Sequence, residues 1–267
     1  MERINEARVA VIGGVNMDIG GSPFAKLVMR DSNPGIITAR PGGVGRNIAH
    51  DLRLLGVNVS LVTAVGGDVY GQGILDSCRE LGIDMSLARI LPERRSSTYL
   101  YVTDETGDMQ IGIADMEITE CITPEYLASR MDEINAFDAV VLDANLSAES
   151  VEYAARHCTA PIIADPVSTA KAMRLVPVLD KLWAIKPNIY EAEKLTGEHD
   201  PEKAAAALLD KGVKRVLISL GEEGMLAAER GSTVHMPREL VTVVNTTGAG
   251  DAATSAIVWA ALAGMDI

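Results

Sequence analysis

The sequence predicts an α/β fold: a doubly wound, mainly parallel sheet with helices on both faces and a small β lid. Three observations carry this. Short apolar runs alternate with amphipathic segments over most of the chain, the pattern of βαβ units. Glycine-rich loops stand where several of those runs end. Two alternating segments, residues 97–103 and 108–115, are joined only by the turn Asp104-Glu105-Thr106-Gly107, a β-hairpin outside the βα rhythm. No repeat, low-complexity tract or linker divides residues 1–267, so a single domain is expected, with a lid from about residues 16–30 and 96–116.

The composition suits one large domain: 267 residues, 48% hydrophobic and 23% charged. Aromatics make up only 4%, so the core must rest on aliphatic side chains. A net charge of −13 argues against nucleic acid and anionic membranes as partners. Cys78, Cys121 and Cys158 have no CxxC or zinc-ligand spacing and read as reduced thiols. No apolar run is long enough to span a bilayer and no signal-peptide core is present, so a cytoplasmic location is expected.

Taken in order, residues 7–12 form an apolar run that Gly13-Gly14 ends. Asn16 and Asp18 follow, at the edge where parallel sheets bind ligands, though both also suit a plain turn. Residues 17–29 alternate weakly, as an edge strand or flap, and Asp31-Ser32-Asn33-Pro34-Gly35 is a turn. Pro41-Gly42-Gly43-Val44-Gly45-Arg46-Asn47 leads into an amphipathic helix over 48–55. There Asn47 faces a ligand from the first turn and Arg46 is expected in solvent. Residues 59–65 read as one strand and 70–81 as a helix. After the hairpin, helices are predicted at 124–134, 148–157, 189–195 and 201–211, with strands at 139–142, 161–164, 183–185 and 215–220. Residues 225–229 and 232–235 form a closing hairpin.

The organising stretch is Asn245-Thr246-Thr247-Gly248-Ala249-Gly250-Asp251. It lies between a strand-like run over 240–244 and an apolar helix over 252–263. A small-residue loop opening a helix offers free N–H groups and a positive dipole end to an anion. A carboxylate there, Asp251, is repulsive unless it has a task such as taking a proton from an attacking hydroxyl. A tight turn with Asp near a helix start is the plainer reading. Asn188 and Glu191, three apart, share a helix face and could organise hydrated Mg2+ or simply cap the helix. There is no Walker-A loop, protein-kinase signature or GxGxxG turn.

Two long signatures then resemble the carbohydrate and nucleoside kinases related to ribokinase. One runs from Gly42-Gly43-Val44-Gly45-Arg46-Asn47-Ile48-Ala49 through Gly56 to Gly66, the other from Asn245 to Asp251 with Ser255-Ala256. Asn188-Ile189-Tyr190-Glu191 and Ser219-Leu220-Gly221-Glu222-Glu223-Gly224 match in the same order. The resemblance implies a ribokinase-like fold and ATP-dependent transfer of a phosphoryl group to a hydroxyl. It implies Asp251 as general base, and Gly248, Ala249 and Gly250 as the anion hole. Asn16, Asp18, Gly42, Gly43 and Asn47 would hold the acceptor. Asn188 and Glu191 would organise Mg2+ and the donor phosphates, with Glu191 acting on the metal through water, and Ser219, Gly221 and Gly224 would lie along the nucleotide. The lid would close the site and form a homodimer contact.

Within that family, Gly14-Val15-Asn16-Met17-Asp18-Ile19, the 31–35 turn, Asp165-Pro166-Val167-Ser168-Thr169-Ala170-Lys171 and Ile113-Ala114-Asp115-Met116 resemble the pseudouridine kinase branch. This implies the 5′-hydroxyl of pseudouridine as acceptor, with Lys171 and the lid as the places for base recognition. A ribokinase- or fructokinase-type sugar kinase, or a non-catalytic nucleoside- or sugar-binding protein, is the alternative. Asn245 stands where many relatives have Asp, which puts activation by a monovalent cation in doubt. The chain ends soon after Leu262, so the C-terminal part of the family fold is expected to be missing.

Overall fold

The computed structural model describes residues 2–238 and 248–265. A short helix α1 (Glu2–Glu6) precedes β1 (Arg8–Ile12), after which the chain leaves the main sheet for β2 (Asn16–Pro23) and β3 (Gly35–Gly42). It returns through α2 (Val44–Leu54) to β4 (Asn58–Val62), then runs through β5 (Ala64–Gly66) and α3 (Val69–Glu80) to β6 (Arg89–Leu91). The hairpin β7 (Thr98–Thr103) and β8 (Met109–Asp115) follows. Regular alternation then sets in with α4 (Pro124–Ile134), β9 (Ala139–Asp143), α5 (Ala148–His157), β10 (Ile162–Asp165) and a short α6 (Thr169–Ala172). Next come β11 (Ala184–Ile185), α7 (Ile189–Thr196), α8 (Pro201–Asp210), β12 (Arg215–Ser219), β13 (Met225–Glu229), β14 (Ser232–Met236) and α9 (Ala249–Leu262).

Among the described residues, eight strands form the main sheet in the order β14-β13-β12-β11-β10-β9-β1-β4. β4 through β12 pair in parallel, and β13 and β14 add an antiparallel edge. The parallel strands are apolar on both faces because helices cover both. Ile12, Leu142, Ala164 and Val216 pack with Leu127, Val151, Ala192 and Ala204 of α4, α5, α7 and α8. Their strand neighbours Val11, Val141, Ile163 and Leu217 face the other way, against Ile48, Ile74 and Val258 of α2, α3 and α9. Helix starts follow the expected caps: Asp68, Thr123, Ser147, Asn188 and Asp200 each accept a first-turn N–H.

The order reverses at β1, whose neighbours are β4 on one side and β9 on the other. The strand ends there make the crevice that parallel sheets use for ligands. Over it stands a separate four-stranded sheet, β3-β2-β7-β8.

Several expectations are corrected. The segment after Asn16 is an inner lid strand, paired on both sides. The lid also includes β3, which is mostly exposed and whose adjacent Ile36 and Ile37 do not alternate with polar residues. The strand expected over 59–65 breaks at Thr63, and β5 turns away to pair with β6 in a small sheet. Residues 169–181, left without an element above, form α6 and a 3-10 helix. The run over 240–244, and Asn245 with its bearing on a monovalent cation, lie outside the described residues.

Candidate active site

Gly248 adopts a left-handed conformation (φ 82°), open to glycine, and turns the chain into α9. It has no side chain to cap the helix, so the N–H groups of Ala249, Gly250 and Asp251 lack intrahelical partners. Together with the dipole they form an anion-binding helix start. The half-buried Asp251 accepts a hydrogen bond from Asn47 Nδ2 at 2.8 Å. That bond joins the two glycine-rich motifs across 204 residues of sequence. Ser255 reinforces it by donating to the Ile48 carbonyl. Burial raises the Asp251 carboxyl to about 6; the Asn47 bond and the charge of Lys186 pull it down, whereas Asp165 and Asp143 push it up.

Below the helix start is a buried ion pair. Lys186 Nζ lies 3.3 Å from Asp165 Oδ2, with both side chains about 5% exposed. Thr254 Oγ1 donates to the same oxygen at 2.7 Å. A β-carbon on Gly250 would lie 3.0 Å from Lys186 Nζ, so the Lys186 amine sits directly under the backbone of the first turn of α9. Three elements therefore meet there: the ends of β10 and β11 and the first turns of α9. Sequence reasoning did not single out Lys186 or Thr254. The available signal was a lysine directly after a strand, in Lys186-Pro187-Asn188.

The residues expected to hold the acceptor cluster around the β1–β2 turn. Asn16 Nδ2 donates to Asp18 Oδ1, and burial raises the Asp18 carboxyl. Gly43 has φ 97°, and a β-carbon there would meet the Gly14 carbonyl at 2.7 Å and Asn16 Oδ1 at 2.9 Å. Gly42 pairs with Asn16 and backs Asp18. Asp143, fully buried at the end of β9, accepts from Gly14 N at 2.8 Å and from Asn145 Nδ2 at 3.0 Å. Burial raises its carboxyl. Lys171 donates to Asn145 Oδ1 at 2.6 Å, and burial lowers its ammonium. The chain Lys171–Asn145–Asp143–Gly14 thus ties α6 to the turn before Asn16. Asp143 and Asn145 had no distinguishing sequence signal.

Arg46, expected in solvent, is instead half-buried and donates from Nη2 to Ser77 Oγ at 2.9 Å. The local pattern shows a charged residue in a helix start, and only the packing of α3 against α2 supplies its partner.

On the other side of the crevice, Asn188 caps α7. Its Oδ1 accepts from Glu191 N at 2.9 Å, and Glu191 Oε2 accepts from Asn188 N at 2.8 Å. The cap thus occupies one oxygen of each side chain, and burial raises the Glu191 carboxyl. No cluster of three or more metal-ligating side chains occurs among the described residues. Ser219 ends β12 beside Asn188, and Gly221 and Gly224 bound a short 3-10 turn, both with positive φ. The structure therefore places the expected residues along one edge of the main sheet, in three groups: the β1–β2 turn with the start of α2, the start of α9, and the ends of β11 and β12.

The sequence matches the profile described as pfkB family carbohydrate kinase over residues 6–267. It is 38% identical over 251 residues to a pseudouridine kinase of Escherichia coli, covering 91% of this chain and 80% of that protein. It is 32% identical to an uncharacterised sugar kinase of the same organism, covering 95% and 72%. Among solved structures, a carbohydrate kinase from Agrobacterium tumefaciens superposes with a TM-score of 0.87 at 28% identity, covering 97% and 85%.

Proposed function

The chain belongs to the pfkB family of carbohydrate kinases, a phosphotransferase acting on a hydroxyl group, and from that membership we propose that it phosphorylates the 5′-hydroxyl of pseudouridine with ATP. The observation that carries the reading is Asp251. It is a carboxylate raised to about 6, placed at an anion-binding helix start and held by an asparagine of the acceptor loop. A base with that affinity is ionised at neutral pH yet accepts a proton readily. The likeness to a pseudouridine kinase supplies the nucleoside.

In this reading the acceptor hydroxyl sits against Asp251, which takes its proton as the oxygen attacks the γ-phosphorus. The N–H groups at Gly248, Ala249 and Gly250 receive the charge of the phosphoryl group in transfer, with the Lys186 ammonium beneath them. Asn16, Asp18 and Asn47 orient the sugar hydroxyls. Ser219, Gly221 and Gly224 run along the nucleotide. Mg2+ would neutralise the donor phosphates; Glu191 suits it through water, because one carboxylate oxygen is committed to the cap. The lid excludes water, which would otherwise compete as acceptor. The lid's outward face is aliphatic and open, with Ile37, Leu100, Ile111 and Ile113 all exposed, and we assign it to a second copy of the chain.

A coupled ADP-release assay with pseudouridine, uridine, adenosine, ribose and fructose tests the reading. A kcat/KM for pseudouridine at least tenfold above the others is expected. A preference for ribose or fructose would replace it with the sugar-kinase reading that the 32% relative favours.

A further inference from the structure

We infer that Tyr99 and Tyr101 form an aromatic shelf on the acceptor side of the lid that stacks on the planar base of a nucleoside. The inference rests on the nucleoside-kinase reading above.

The face is fixed by strand register. Directly paired residues in a sheet point to the same side, and so do residues two apart. Asp18 pairs with Tyr99, and Gly20 pairs with Tyr101. Across the hairpin, Tyr101 pairs with Gly112 and Tyr99 with Ala114. Asn16, Asp18, Tyr99 and Tyr101 therefore share one face, the face that meets Gly43 and the start of α2. Ile19, Leu100, Ile111 and Ile113 occupy the opposite face, by the same register. The two sides of the lid thus differ in kind: one is aliphatic, and the other carries a carboxylate, an amide and two phenol rings.

The rings do not stand upright from the sheet. A β-carbon on Gly20 would lie 2.6 Å from Tyr101 Cζ, and one on Gly112 would lie 2.6 Å from Tyr99 Oη. Each ring occupies the space that a side chain on the neighbouring strand would fill, so it lies across the sheet. The two centroids are 6.0 Å apart and the planes differ by 31°, which makes one shallow surface of two rings. The Tyr99 hydroxyl also donates to Met109 Sδ at 3.2 Å. Both tyrosines are only half-buried, so a broad aromatic surface is left beside Asp18.

Rings laid over glycines also stabilise strands without any ligand. That role requires apolar cover, which leucine supplies. Stacking on a base requires a flat π face, which leucine lacks and phenylalanine keeps. A free sugar offers only its C–H faces to such a shelf, whereas a nucleoside base offers a π face. Base–aromatic stacking corresponds to about 5- to 150-fold in affinity.

Steady-state kinetics of the full chain with ATP, Mg2+ and varied pseudouridine test this. Tyr99→Leu and Tyr101→Leu are each expected to raise KM about tenfold while kcat stays within about twofold, because the base lies away from the transferring phosphoryl group. Tyr99→Phe and Tyr101→Phe are expected to keep KM within about twofold. Gly112→Ala, which retains both rings but lifts Tyr99, is expected to raise KM as Tyr99→Leu does, and it serves if a leucine variant fails to fold. An unchanged KM in both leucine variants, or equal losses for leucine and phenylalanine, overturns the shelf and leaves the nucleoside reading in place. A wild-type chain that phosphorylates ribose and no nucleoside overturns both.

Discussion

The floor of the crevice and the lid above it are built on opposite terms. The floor buries charge: Asp143, Asp165 and Lys186 are all nearly inaccessible, and each is paired or hydrogen-bonded. The lid buries little. It is laced with glycines on one face and leaves isoleucines open on the other. Buried paired charges are costly to disturb, so they hold geometry. A thin sheet with small residues can change what it contacts at little cost to the fold. In the proposed function, the contrast separates what every acceptor would require, a base and an anion site, from what would distinguish one acceptor from another.

The largest effect that would break this contrast is at Asp251. Asp251→Asn is expected to lower kcat by about 10²- to 10⁴-fold, the range of general-base catalysis, with nucleoside binding retained in calorimetry. Because burial raises this carboxyl, ionised Asp251 destabilises the fold above its unfolded value near 3.8, and fully so above about 6. The Asn variant should therefore melt no lower than wild type at pH 7.5. A rate near wild type would remove Asp251 from the chemistry.

Next is Lys186→Met, which leaves Asp165 buried with its hydrogen bonds from Thr254 and the Val167 N–H but without a counter-charge. A loss of about 3–5 kcal/mol is expected in a denaturant melt. A loss below 1 kcal/mol would show that the pair under Gly250 does not anchor the floor.

A smaller effect concerns pH. A base near 6 must be ionised to work, so kcat/KM is expected to fall about tenfold per pH unit below 6 and to level off above it. Asn47→Leu removes a bond that favours the ionised form and should move this limb to higher pH, with Asp143, Asp165 and Lys186 still facing the carboxyl. A limb that stays in place would mean that another group titrates.

The smallest effect on fold stability is expected from the lid. Ile37→Lys with Ile113→Lys should change the melting free energy by about 0.5 kcal/mol or less. The same pair should convert the proposed dimer to a monomer in light scattering. If the mass does not change, the outer face is not the contact.

Much of the fold was legible because local chemistry and burial agree. Thr123-Pro124 starts a helix, Gly197 stops one, and residues 139–142 can only be a buried strand. β3 was not legible, because its residues face solvent and carry no periodic apolar signal. The break at Thr63 depends on where β6 lies, which no window around residue 63 contains. In the site, the glycine-rich loops and Asp251 announce themselves by composition. The Lys186–Asp165 pair does not, since a lysine and an aspartate 21 residues apart look like any two surface charges until the strands are placed side by side. Arg46 was misread for the same reason.

The hydrogen bond from Asn47 to Asp251 has a consequence for how the molecule is made. On the ribosome, β1 can pair with β4 once about 60 residues have emerged, but Val9 must wait for Ala139. Asp251 and the helix behind it arrive after every strand of the main sheet described here. A growing chain therefore assembles the proposed acceptor loops and nucleotide flank long before Asp251 emerges. Until α9 docks, it holds the proposed binding parts but lacks the proposed base.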